Sequence, residues 1–268
     1  MKTSLVDGYI CAPLGAIRRT GTSMKNPEKW KPSRIVRDPS TGRYRTNVAG
    51  VYGGSWYTAE LQHALYIPLI KEHITGYVLD LGCGPVPYHE LYGERTTGSC
   101  CVDWAGSMHT KELLDHFVDL NAPGPLPFAE STFDSAVLSD MLVHITRPHV
   151  LMAEVQRVLK PGGKVLITAP FVYWMGEYPH EYFHPSPFAL KHLCEAAGME
   201  VLHQEVYGGH ADVLMDTLNK FMPAGLPNRF FRLFAQVVLW TGWPQRNRQR
   251  TKGPYALGSS MVARKPEV

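Results

Sequence analysis

The run Val78-Leu79-Asp80-Leu81-Gly82-Cys83-Gly84 constrains the fold more than any other stretch. An apolar segment carrying one acid leads straight into a turn with two glycines. That pattern reads as a buried strand ending where the main chain must approach a ligand closely. Gly82 and Gly84 lack Cβ, so a ligand can lie against the backbone and positive φ is unstrained. Open α/β sheets collect nucleotide-type ligands beyond the carboxyl ends of their strands.

The flanking pattern agrees. From Tyr77 onward, short apolar strands alternate with helical segments. The strands are expected at 77–81, 99–103, 116–118, 133–139, 164–169, 200–206 and 255–264. Helices are expected at 57–73, 88–94, 107–114, 147–159 and 187–197. In the fourth of these, Val150, Leu151, Val155, Val158 and Leu159 share one side, and Pro161-Gly162-Gly163 should stop it. This alternation predicts a doubly wound α/β sheet with helices on both faces. Residues 1–50 are rich in Pro, Gly, Lys and Arg and read as an irregular N-terminal arm or lid. Residues 51–268 read as the main domain, with a helical insertion at about 210–250 before the last strand.

Composition excludes several classes. Apolar residues make up 44% of the 268, which is a globular rather than a disordered balance. A net charge of +3 is too small to argue for nucleic acid. The five cysteines (Cys11, Cys83, Cys100, Cys101 and Cys194) include no CxxC pair, which fits a reducing, cytoplasmic setting. No signal peptide is expected from Met1–Asp7, and no apolar run reaches the roughly 18 residues that span a bilayer.

The ligand can be narrowed further. A dinucleotide fingerprint requires Gly-x-Gly-x-x-Gly, and here Pro87 occupies the third glycine position, removing an N–H donor. Asp103 follows 19 residues after Gly84, where a carboxylate can accept both hydroxyls of a ribose. An adenosyl ligand without phosphates fits better than NAD. Taken together, Val78–Gly84, Asp103, Asp119-Leu120 with Pro125–Phe128, Phe133-Asp134 and the stretch from Glu154 to Gly163 resemble class I S-adenosylmethionine-dependent methyltransferases. The resemblance is to the small-molecule, methyltransferase type 11-like branch and covers about residues 75–206, and it implies a Rossmann-like sheet of seven strands, mostly parallel with the last strand antiparallel. It implies that Asp80, Gly82, Cys83 and Gly84 surround the methionine part of the cofactor. By the same resemblance Asp103 holds the ribose and Asp119 the adenine amino group. Leu120 packs on the ring, and Ser139 and Asp140 line the methyl-transfer face. Val86 departs from the family pattern, since many relatives carry a further glycine there.

Methyl transfer to a hydroxyl needs alignment and a proton acceptor, but no metal. His144, just after the fourth strand, is the expected base. The segment Tyr178-Pro179-His180-Glu181-Tyr182-Phe183-His184 follows the fifth strand. Its Tyr178, His180, Glu181, Tyr182 and His184 are the expected contacts to a small-molecule or glycan acceptor. His180, Glu181 and His184 have metal-ligand chemistry, but no further strong ligand lies nearby, so no metal is expected. Residues 229–240, rich in Phe and Trp between arginines, could associate weakly with a membrane surface. A helix packed on the core or a homodimer contact is the commoner explanation of such a run. Transfer to nitrogen or carbon, or a catalytically silent module, remain the alternatives.

Overall fold

The computed structural model describes residues 24–51, 53–92, 95–109, 111–222, 225–242 and 255–267. In chain order the elements are β1 (Ile35–Arg37), β2 (Tyr44–Thr46), α1 (Trp56–His73), β3 (Gly76–Leu81), α2 (His89–Tyr92), β4 (Thr96–Asp103), β5 (His116–Phe117), β6 (Phe133–Ser139), α3 (Pro148–Val158), β7 (Leu159–Pro170), α4 (Pro187–Ala196), β8 (Glu200–Tyr207), α5 (His210–Phe221), α6 (Leu226–Trp240) and β9 (Gly258–Arg264). The main sheet has seven strands in the order β5-β4-β3-β6-β7-β9-β8. Every pairing is parallel except those of β9, which runs antiparallel to both β7 and β8. This is the doubly wound sheet the sequence predicts.

Alternation along the strands divides the core. Val78 and Val137 face α1, where they pack with Tyr66, Ile70, Leu166 and Val262. Leu79, Leu138 and Ile167 face the other way, against Met152 and Val155 of α3 and Leu190 and Cys194 of α4. Both faces of the central strands are covered, which is why their sequences read as continuous apolar runs. Ser186 caps α4 by accepting from the Ala189 N–H at 3.2 Å, and Pro187 sits in its first turn.

Four expectations need correction. The described part of the arm is not irregular throughout. Asp38 accepts from the Ser40 and Thr41 N–H groups, closing a turn between β1 and β2. Three-residue strands are too short for alternation to announce them. Residues 107–114 make bends and turns rather than a helix over their described positions. There the apolar pair Leu113–Leu114 packs beneath Met24 of the arm. The helix over 147–159 ends at Val158, and the strand begins at Leu159. Pro161-Gly162-Gly163 therefore falls inside β7, opposite a register shift between Phe133 and Ser135. Val150 is exposed rather than part of the apolar side. Residues 1–23 with Cys11, residues 93–94 at the end of the second expected helix, and the arginines at 246, 248 and 250 lie outside the described residues.

Candidate active site

The strand order reverses at β3, because β4 lies on one side of it and β6 on the other. The crevice beyond the carboxyl ends of these strands is where such a sheet binds ligands. A cavity of about 950 Å³ occupies it. Asp80, Gly82, Cys83 and Gly84 from the end of β3 and Asp103 from the end of β4 line it, with Asp119, Leu120, Ser139, Asp140 and His144.

The turn after β3 is held by its own backbone bonds. The Gly82 and Cys83 N–H groups both donate to the Val102 carbonyl, at 2.8 and 3.1 Å. Gly82 has φ +68°, and a Cβ there would lie 2.7 Å from Met141 Cβ. An alanine at this position is therefore both strained and blocked. The Gly84 N–H donates to Asp103 Oδ2 at 3.1 Å, and the Trp104 N–H donates to Oδ1 at 2.8 Å. Two backbone donors thus fix the Asp103 carboxylate at the cavity edge with lone pairs to spare. Burial pushes the Asp80 carboxyl up to about 7, although the Tyr92 hydroxyl donates to it. The Cys83 thiol is buried and held well above the usual thiol range by that burial, so it fills space. Asp119 Oδ1 accepts from the Asn121 N–H at 2.9 Å, leaving its second oxygen for a ligand.

His144 ends a single 3-10 turn, Leu142–His144, directly after β6. Its Nδ1 lies 2.7 Å from the His180 carbonyl oxygen. A carbonyl only accepts, so Nδ1 carries the hydrogen and Nε2 of the neutral ring is left as a proton acceptor. Glu177 Oε2 lies 3.9 Å from that Nε2, and Glu177 Oε1 lies 3.9 Å from His109 Nε2. His109 and Glu177 also line the cavity, and the sequence reading missed both. They sit in segments without periodicity, and only the fold brings them to His144.

The expected acceptor segment divides. His180, Glu181 and Tyr182 line the cavity. The His180 ring meets the Trp104 ring edge-on, with centroids 5.2 Å apart. Tyr178 is 80% exposed and stands outside the lining. Glu181 and His184 bond each other, and Glu181 also accepts from the Gly176 and Glu177 N–H groups. Burial opposes ionisation of Glu181, yet these donors hold its carboxyl below the usual range. The pair shapes the loop. Among the described residues no three His, Cys, Asp or Glu side chains are gathered as a metal site.

A second polar wall joins Asp140, expected from the sequence, to Gln62, Thr168 and Arg34, which were not. Asp140, at φ +56°, accepts from Gln62 Nε2 at 2.6 Å and from Thr168 Oγ1 at 2.9 Å. Arg34 Nη1 of the arm reaches within 3.6 Å of its Oδ2. The one available signal was in α1, where Thr58 and Gln62, four residues apart, make a polar stripe beside the apolar one.

The residues present fit S-adenosylmethionine. The cradle after β3 requires glycine at Gly82, the Asp103 carboxylate is aimed by two backbone donors, and Asp119 and Leu120 line the same cavity. Residues 79–167 match the family model described as "Methyltransferase domain". An uncharacterized methyltransferase of Schizosaccharomyces pombe is 28% identical over 146 residues, covering 48% of this chain and 52% of that protein. A demethylmenaquinone methyltransferase of Renibacterium salmoninarum is 37% identical over 111 residues, covering 40% and 44%. An O-methyltransferase of Aspergillus nomiae is 30% identical over 146 residues, covering 47% and 64%. The chain spans about half the length of these relatives. A SAM-dependent methyltransferase of Archaeoglobus fulgidus superposes with a TM-score of 0.47 at 18% identity, covering 76% of this chain and 91% of that one.

Proposed function

We propose that this chain is a class I S-adenosylmethionine-dependent methyltransferase, as the methyltransferase-domain match over residues 79–167 supports, and that it transfers the donor's methyl group to a hydroxyl of a small molecule or glycan. The observation that carries this reading is the His144 geometry. With Nδ1 committed to the His180 carbonyl, Nε2 is the free acceptor on a cavity wall.

The donor supplies an activated methyl on a sulfonium, and the chain's residues align it with the acceptor. Gly82 and Gly84 would hold the methionine part against the backbone, Asp103 the ribose, and Asp119 and Leu120 the adenine. His144 Nε2 takes the acceptor hydroxyl's proton as the oxygen–methyl bond forms. Glu177 faces the resulting imidazolium and stabilises it. Loss of the histidine base should lower methyl transfer by about 10²–10⁴-fold. His144→Ala is therefore expected to bind S-adenosylhomocysteine normally while transferring little label from methyl-tritiated donor to hydroxylated acceptors. Unchanged transfer would remove His144 from the role.

A second observation favours a site of action beside an apolar surface. Helix α6 packs on the core through Ala235 and Phe231 but exposes Phe230, Leu233, Phe234, Val237 and Trp240. This supports weak membrane-surface association through residues 229–240, from the cytoplasmic side. Among the described residues no helix is long and apolar enough to cross a membrane. A homodimer contact is the competing use of the same face.

A further inference from the structure

We infer that the wall formed by Ser33, Arg34, Tyr88, Ser139 and Asp140 is an acceptor subsite for an uncharged polyhydroxylated group, a sugar or other polyol. The inference rests on the methyltransferase reading and deepens it. It also moves acceptor recognition away from the 178–184 segment, where Glu181 and His184 already satisfy each other.

Three observations converge. First, the hydroxyl oxygens of Ser33, Tyr88 and Ser139 are buried, line the cavity and make no well-formed hydrogen bond, although the Tyr88 hydroxyl faces Ser139 and Arg34 across the wall. The Tyr66 hydroxyl faces Ser139 from behind this wall. Buried polar groups are almost always bonded, so orphans concentrated on one cavity wall mark bonds left for a ligand. Second, Asp140 is a non-glycine residue at φ +56°, held by Gln62 and Thr168. Such backbone strain gathers at ligand sites. Third, the wall is electrically balanced. Arg34, 3.6 Å from Asp140, would attract an anion that Asp140 repels, and the reverse holds for a cation. Hydroxyl groups, which both donate and accept, can engage the carboxylate, the guanidinium and the three orphan hydroxyls together. The wall draws on the arm, α1, the turn after β3, and the ends of β6 and β7. Binding there would tie the arm to the sheet.

The test is saturation-transfer NMR on the full chain, with and without S-adenosylhomocysteine, using methyl glucoside, glucuronate and cyclohexanol as probes. Methyl glucoside should receive the strongest saturation. Each lost hydrogen bond should weaken its binding by about 2- to 10-fold, so Tyr88→Phe and Arg34→Met are expected to reduce the signal by that factor. Removing an orphan hydroxyl should also spare the free protein a desolvation penalty. Tyr88→Phe is therefore expected to raise Tm by about 2–4 °C, which separates ligand recognition from damage to the fold. The proposal is overturned by equal or stronger saturation of glucuronate or cyclohexanol, by no saturation of methyl glucoside, or by undiminished signal in Tyr88→Phe. Calorimetric titration of S-adenosylhomocysteine on the same samples reports the methyltransferase reading separately. If that ligand does not bind, the donor assignment fails, while the glucoside signal on the free chain still decides the subsite.

Discussion

Burial lifts the Asp80 carboxyl to about 7, opposed by the Tyr92 hydroxyl that donates to it and reinforced by Asp103 nearby. Between about pH 4 and 7 the unfolded chain has lost this proton while the folded chain keeps it. Stability should therefore fall as pH rises through that window, by at most about 1.4 kcal/mol per pH unit, and level off above it. Asp80→Asn is neutral throughout and keeps an oxygen for Tyr92. It is expected to lose this slope and to exceed the wild type in urea midpoint at pH 8. Parallel pH profiles for the two proteins would contradict the assignment. His63 works in the opposite sense. Burial, with Arg34 nearby, pushes it down to about 3, so its contribution is lost as pH falls below about 6.5. Asp80 and the two glycines were legible in the sequence because one short motif requires them. His109, Glu177 and Arg34 were not, because each belongs to a segment without a pattern of its own.

At the scale of elements, the arm and α6 matter most. Trp30 Nε1 donates to the Val86 carbonyl at 2.9 Å, and Met24 is buried against Cys83 and Leu114. The arm thus braces the turn proposed to cradle the donor. Trp30→Ala removes this anchor and is expected to weaken S-adenosylhomocysteine binding with little change in thermal midpoint. An unchanged dissociation constant by calorimetry would confine the arm to another role. Helix α6 makes a different prediction. Flotation with vesicles containing anionic lipid should carry the wild type upward and leave Phe234→Glu/Trp240→Ser behind. Wild-type protein that stays at the bottom with every vesicle would assign the apolar face elsewhere. The helix at 147–159 was readable to within a residue because its apolar spacing is sustained. The turns over 107–114 were misread as helix because two adjacent leucines packing under the arm mimic an apolar face.

Over the whole molecule, the sheet was legible because its central strands are buried on both faces and follow one another in regular alternation. The order β5-β4-β3-β6, which puts the crevice at β3, is seen only in the folded sheet. The glycine turn and the acid at a set interval, expected from the sequence to hold the donor, do line the crevice. Arg34, Gln62 and Tyr88 around Asp140 were not legible, because that wall is assembled from separate segments and only Ser139 and Asp140 stand at the end of a recognisable strand. The crevice at β3 is proposed to bind S-adenosylmethionine with Asp103 on the ribose. Calorimetric titration of S-adenosylhomocysteine into the wild type and Asp103→Ala tests it most directly. Saturable binding by the wild type, weakened about 10- to 100-fold in the variant, is the predicted result, since charged hydrogen bonds contribute about 1.5–3 kcal/mol. No binding by the wild type, or equal binding by both proteins, would contradict it.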